Sequence, residues 1–173
     1  NLNENTFIVT GGHDQPCSAL GAGAVKSGIA VYASGTVDCI TSAFKTPIFS
    51  AELQKNNLCT YDHAAPGMYA TIAFSLTGGN ILQWFRNEFG KAEVNEAIQL
   101  NTNPYELLLR QMPENPTKLL VLPYFTPSGT PYFDTKVKGA ILGLDLSTTR
   151  EEIMKALLEG VALEMRLNLE ILK

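Results

Sequence analysis

The chain has 173 residues, a net charge of −4, 45% apolar residues and 17% charged residues, which suits about one globular domain with enough apolar surface for a core. Its Lys and Arg residues are scattered, so there is no basic stripe for nucleic acid or an anionic membrane surface. No apolar run approaches about 18 residues, so no membrane span is expected.

Phe7 to Thr10 is an apolar run meeting Gly11-Gly12, and it reads as a strand delivering a tight turn. Asp14 to Lys26 has helical spacing and is rich in small residues (Ser18, Ala19, Gly21, Ala22, Gly23, Ala24), which suits close packing against another backbone; Ser27-Gly28 closes it. Ile29 to Ala33 and Val37 to Ser42 read as two strands joined by Ser34-Gly35-Thr36. Residues 43–66 are expected to carry a loop and one further strand, and Met68 to Phe74 a strand or a helix start. Gly78-Gly79 opens a helix over Asn80 to Phe89, with Ile81, Leu82, Phe85 and Phe89 on one face and Gly90 at its end. A short helix follows from Pro104 to Met112. Leu119 to Leu122 is a strand, Thr126 to Gly139 a turn-rich loop, and Ala140 to Leu144 a strand.

The last segment carries the strongest local signal. Thr148 with Glu151, or Thr149 with Glu152, forms a capping box. Met154, Leu158, Val161, Met165, Leu169 and Leu172 then make a continuous core stripe. Strands followed by alternating helices and strands predict an α/β layer arrangement.

Three cysteines (Cys17, Cys39, Cys59) and two histidines (His13, His63) show no metal-ligand spacing. They point to a reduced, cytoplasmic protein whose cysteines are buried packing. The polar start, Asn1 to Thr6, does not read as a signal peptide. With no initiating Met and an end inside a helical pattern, both ends are expected to be cut.

The common phosphate and nucleophile motifs fail. Gly90-Lys91 is followed by Ala92, not the Ser or Thr of a Walker loop. Gly21-Ala22-Gly23 lacks the third glycine of a dinucleotide fingerprint. Ser18 and Ser34 lack a nucleophile-elbow context.

Three stretches, taken in order, resemble the FGGY carbohydrate kinases. Gly11-Gly12-His13-Asp14-Gln15 followed by Ala19-Leu20-Gly21 resembles that family's glycine-rich turn, which presents a catalytic aspartate ahead of an Ala- and Gly-rich helix. Ser34-Gly35-Thr36-Val37 resembles its Gly-Thr turn between the first strands of the second domain. Gly139-Ala140-Ile141-Leu142-Gly143-Leu144, with Glu152-Ile153 and Ala156-Leu157-Leu158-Glu159, resembles its C-terminal signature. Pro127 to Asp134 resembles the loop preceding that signature. Two positions depart from the family pattern: Ser34 precedes the Gly-Thr pair, and Val37 stands where many members carry Ser.

The resemblance implies an actin-like, ribonuclease-H-like ATPase fold. Residues 1–28 would be the end of the first domain and residues 29–173 the first part of the second. It implies ATP and Mg²⁺ as cofactors and a small sugar or polyol as substrate, xylulose first, with the metal ligands outside this chain. Asp14 would be the base that accepts the hydroxyl proton, and His13 and Gln15 would line the sugar pocket. Gly35 and Thr36 would hold phosphate, and Gly78 and Gly79 would lie beside the nucleotide.

Without the resemblance, Asp14 reads as a helix N-cap and Gly35-Thr36 as an ordinary hairpin turn. Trp84 reads as core and Glu159 as structural or interfacial. A non-catalytic sugar-binding domain or a structural fragment of the same fold is the alternative. The chain alone is expected to be inactive, and its exposed apolar edges are expected to favour a homodimer.

Overall fold

The structure, a computed structural model, describes residues 3–173. Residues 29–44 form a β-hairpin, with β1 (Ile29–Ser34) and β2 (Asp38–Phe44) antiparallel from Ile29 opposite Ala43 to Ser34 opposite Asp38. A short helix, α2 (Ala51–Lys55), and β3 (Thr60–Asp62) follow, then β4 (Tyr69–Ser75). The four strands make one antiparallel sheet in the order β1-β2-β4-β3. β2 is the buried centre, with Asp38, Cys39, Ile40, Thr41 and Ala43 out of solvent, while β1 is a largely exposed edge.

Ahead of the sheet lies α1 (Asp14–Gly21), and after it come α3 (Gly79–Phe89), α4 (Lys91–Leu100) and α5 (Pro104–Arg110). A two-stranded ribbon of β5 (Leu120–Leu122) and β6 (Ala140–Leu142) leads into the long α6 (Arg150–Ile171). α6 packs across β2 and β4 and against α3 and β5, which gives the α/β layering expected from the sequence. Ile81, Phe85, Leu108, Val121, Met154, Leu157 and Val161 fill the main core. A second cluster of Ala19, Ala24, Ala43, Ala65 and Met68 seats the small-residue helix against β2.

Several boundaries differ from the sequence reading. Phe7 to Thr10 is not a strand: it has no pairing partner among the described residues, and Phe7 and Ile8 are each 89% exposed. α1 stops at Gly21, not Lys26. Gly23 takes a left-handed φ of +86°, and the amides of Gly23 and Ala24 donate to the Leu20 and Ala19 carbonyls, a closing motif that ends the helix. Residues 43–66 hold the unexpected α2 besides their strand. The helix α4 was not anticipated, because its inward positions include Glu93 while Ile98 faces solvent, so it has no clean apolar stripe.

Thr149 and Glu152 form the capping box, with both reciprocal bonds present. Along α6, Met154, Val161 and Met165 are buried as expected. Leu157, not Leu158, is fully buried, and Leu169 is exposed. Cys39 is buried, but Cys17 and Cys59 are exposed, so the packing role expected of all three cysteines holds only for Cys39. Trp84 packs on the main core from its rim, and the Glu159 carboxylate accepts from the Thr117 amide and hydroxyl, a structural contact. No helix among the described residues is long and apolar enough to cross a membrane.

Candidate phosphate-binding turn

The β1–β2 turn, Gly35 to Val37, folds back on the start of α3. The Gly79 amide donates to the Gly35 carbonyl at 2.7 Å, and the Asn80 amide donates to the Thr36 carbonyl at 3.3 Å. Helix-opening amides have no partner within the helix, so the turn caps α3 with its own carbonyls. The Gly78 amide donates to Asn80 Oδ1 at 2.9 Å, and Asn80 Nδ2 donates to the Leu76 carbonyl at 2.8 Å. The amides of Gly78 and Gly79 are therefore already engaged.

What these two glycines supply is proximity. A Cβ on Gly79 would stand 2.7 Å from the Gly35 carbonyl oxygen, and one on Gly78 would stand 2.7 Å from Asp38 Oδ1. Either would be inside any normal contact, so only glycine lets the helix start touch the turn.

Asp38 holds the turn from below. It is 2% exposed, and its carboxylate accepts the Tyr32 hydroxyl at 2.6 Å and the Gly35 amide at 3.3 Å. Tyr32 is 53% exposed as a residue, but loss of solvent around its phenol and the neighbouring Asp38 carboxylate push that group up to about 12. With the Gly35 amide drawn inward, the turn donors left without a partner among the described residues are the amides of Thr36 and Val37 and the Thr36 hydroxyl. Thr36 is exposed. Beside it opens a cleft of about 350 Å³ lined by Gly35, Thr36, Gly79, Asn80, Gln83 and Tyr105. Outward-facing backbone and hydroxyl donors at the mouth of a cleft can bind an anion such as a phosphate.

His13, Asp14 and Gln15 form a second cluster at the start of α1. His13 is the N-cap, its side chain accepting from the Gln15 amide; Asp14 is the first helical residue, not the cap. Asp14 Oδ1 also accepts from the Gln15 amide, at 2.8 Å, and lies 3.3 Å from His13 Nδ1. The Asp14 side chain is 85% exposed. A carboxylate at the first helical position sits in the favourable field of the helix N-terminus and faces solvent, so it can approach a ligand. No hydrogen bond joins this cluster to the turn among the described residues. The two meet electrostatically at Cys39 on β2: burial raises its thiol, and the charges of Asp38 and then Asp14 raise it further.

The structure thus gathers Gly35, Thr36, Gly78 and Gly79 into one place and His13, Asp14 and Gln15 into another. The sequence reading missed Tyr32, Asp38 and Asn80. The available signal was Asp38, the one charged residue of its strand, where Asp is disfavoured. Among the described residues, no group of three His, Cys, Asp or Glu side chains is placed to hold a metal ion.

Comparison with known proteins gives this arrangement a family. Residues 30–173 match the C-terminal domain of the FGGY family of carbohydrate kinases. A xylulose kinase from Lactococcus lactis subsp. lactis is 28% identical over 174 residues, covering 99% of this chain and 32% of its own. A gluconokinase from Bacillus subtilis is 29% identical over 164 residues, covering 92% of this chain and 31% of its own. Among solved structures, a xyloylose kinase from Brucella ovis superposes with a TM-score of 0.74 at 28% identity, over 92% of this chain and 30% of that one. The chain therefore spans about a third of the length of the curated relatives it matches. Its fold is the actin-like one of these kinases, and the chain belongs to the FGGY family of carbohydrate kinases.

Proposed function

We propose that the protein carrying this chain transfers the γ-phosphoryl group of Mg-ATP to a hydroxyl of a small sugar or polyol. Xylulose is the first candidate, on the strength of the xylulose kinases among its relatives, and gluconate is the second. The observation that supports the reading is the turn at Gly35 and Thr36, held against the start of α3 so that exposed Thr36 lines a cleft.

In this reading, Thr36 donates to phosphate oxygens, and Gly35 keeps the turn free of bulk. Gly78 and Gly79 let the backbone of α3 come close enough to form the cleft wall. Asp14 accepts the proton of the attacking sugar hydroxyl, with His13 and Gln15 lining the sugar side. Phosphoryl transfer demands mainly positioning and charge stabilisation, and a carboxylate base completes it. Mg²⁺ would neutralise charge on the nucleotide phosphates, held mainly by their oxygens and by carboxylates outside this chain.

The same proposal divides the chain. Residues 1–28 end the first domain and residues 29–173 open the second, a boundary supported by the family match beginning at residue 30. The chain alone would then be inactive.

The test is ATP consumption by the full-length protein with a panel of pentuloses, hexuloses, polyols and gluconate, after intact mass has fixed the length of the sample. One sugar stimulating ATP use, with its phosphate ester as product, is the expected result. No stimulation by any of them would overturn the reading in favour of a non-catalytic sugar-binding role.

A further inference from the structure

We infer that Asp38 is a positioning residue for nucleotide phosphate: its buried carboxylate sets the Gly35–Thr36 turn in the conformation that turns the donors of Thr36 outward. The inference rests on the kinase reading above and deepens it by assigning a residue that does not itself touch ligand.

Three observations carry it. Asp38 is 2% exposed and both its carboxylate oxygens are engaged, one by the Tyr32 hydroxyl at 2.6 Å and one by the Gly35 amide at 3.3 Å. A buried carboxylate is costly unless donors of this kind satisfy it, so its place here is defined by the turn it binds. The Gly35 carbonyl in turn accepts from the Gly79 amide at 2.7 Å, so the peptide groups flanking Gly35 are pinned on both sides, by Asp38 below and by α3 beside. Finally, Gly78 is packed against the same carboxylate, with no room for a Cβ beside Oδ1. Asp38 thus joins β1, the turn and the start of α3.

This geometry leaves Thr36 as the outward-facing residue. If the carboxylate is removed, the Gly35 amide is freed, and the turn is held only by the Gly79 and Asn80 amides on the Gly35 and Thr36 carbonyls. Replacement by Asn keeps shape and removes the charge: with Oδ1 on the Gly35 N–H, the amide N–H₂ faces the Tyr32 hydroxyl, which can then only accept, so the charge assistance of both contacts is lost. Replacement of Tyr32 by Phe removes the other partner and leaves the Gly35 contact in place.

The test uses the full-length protein and compares wild type with Asp38→Asn, Asp38→Ala and Tyr32→Phe. Thermal melting is recorded for each, together with KM for Mg-ATP, KM for the sugar, kcat and calorimetric binding of Mg-ADP. The expected result is a rise of about tenfold or more in KM for Mg-ATP in both Asp38 variants, as expected for loss of a charge-assisted contact. A matching loss of Mg-ADP affinity and a sugar KM within about twofold of wild type should accompany it. Tyr32→Phe should show the same pattern at smaller size, about two- to fivefold. A folded Asp38→Asn with unchanged nucleotide KM and affinity overturns the role of Asp38 and leaves the kinase reading standing. Should both Asp38 variants fail to fold, an unchanged nucleotide KM in folded Tyr32→Phe overturns it as well. A wild-type protein that neither binds Mg-ADP nor phosphorylates any sugar overturns the kinase reading itself, and the role of Asp38 with it.

Discussion

Gly78 stands so close to Asp38 that a single methyl group on it would sit 2.7 Å from the carboxylate Oδ1. The contact joins the start of α3 to the strand below the turn, and it confines this position to glycine by space. The neighbour is a buried carboxylate held by two donors, not the free end of a flexible chain. Gly78→Ala should therefore cost about 1–3 kcal/mol, the usual range for overpacking a filled site. Thermal unfolding of the variant checks it, and the Asp38 contacts should be seen to shift in its structure.

The Tyr32–Asp38 pair has a spectroscopic signature. With the phenol held up to about 12 by burial and by the carboxylate, Tyr32 stays protonated well above the range of an ordinary tyrosine. In Asp38→Asn the carboxylate charge is gone, so the Tyr32 titration should move down toward 10, the ordinary value. Alkaline titration of Tyr32 by NMR, followed in both proteins, measures the difference; an unchanged midpoint would mean that burial alone sets it.

Much of this architecture was legible in the sequence, and the exceptions share a cause. α6 was readable because its cap and its stripe are both local: Thr149 and Glu152 sit three residues apart, and Met154, Val161 and Met165 keep helical spacing. The Gly35–Thr36 turn was readable because two β-rich runs flank it. What was not readable depends on partners distant in sequence. Phe7 to Thr10 has the composition of a strand, but a strand needs a neighbour to pair with, and none is present among the described residues. α4 was missed because its inward Glu93 is satisfied by Arg150, 57 residues later. Asp38 was missed as a site residue because nothing in its neighbourhood reveals that Tyr32, Gly35 and Gly78 converge on it.

The Glu93–Arg150 pair itself fastens the start of α6 to α4. Arg150 donates through Nη1 to Glu93 Oε2 at 3.2 Å and to the Phe89 carbonyl at 2.9 Å, while Glu93 is buried. Glu93→Gln removes the buried one of the two carboxylates paired with Arg150 and leaves it Glu151 alone. A cost of about 2–3 kcal/mol is expected, below the full range for a buried pair because the Arg150 side chain is 33% exposed. The hydrogen bond from Arg150, more than burial opposes it, holds the Glu93 carboxyl below its usual range. Its contribution is therefore full above the ordinary glutamate pKa and is lost as pH falls through the lowered folded value. Wild type should lose stability in acid more steeply than Glu93→Gln, a comparison thermal melts at several pH values will make.

Glu164 behaves in the opposite sense. It is buried on α6, Oε2 accepts the Tyr124 hydroxyl at 3.1 Å, and Oε1 has no partner among the described residues. Burial raises its carboxyl, with the Tyr124 hydrogen bond partly offsetting. A group raised in the folded state favours folding while protonated, so this contribution is complete below the ordinary glutamate pKa and is lost as pH rises through the raised value. Glu164→Gln removes the charge that must otherwise be buried. At pH 8 the variant should be more stable than wild type by about 1 kcal/mol, with the advantage vanishing near pH 4.

Asp14 is the proposed base, and kcat of Asp14→Asn in the full-length protein tests that role most directly. Asp14 is exposed at the first position of α1, so the substitution should leave the fold and nucleotide binding unchanged. As the proposed base it should cost about 10²–10⁴ in kcat, with KM for Mg-ATP within a few-fold of wild type. Turnover near wild type in a correctly folded Asp14→Asn would contradict the assignment.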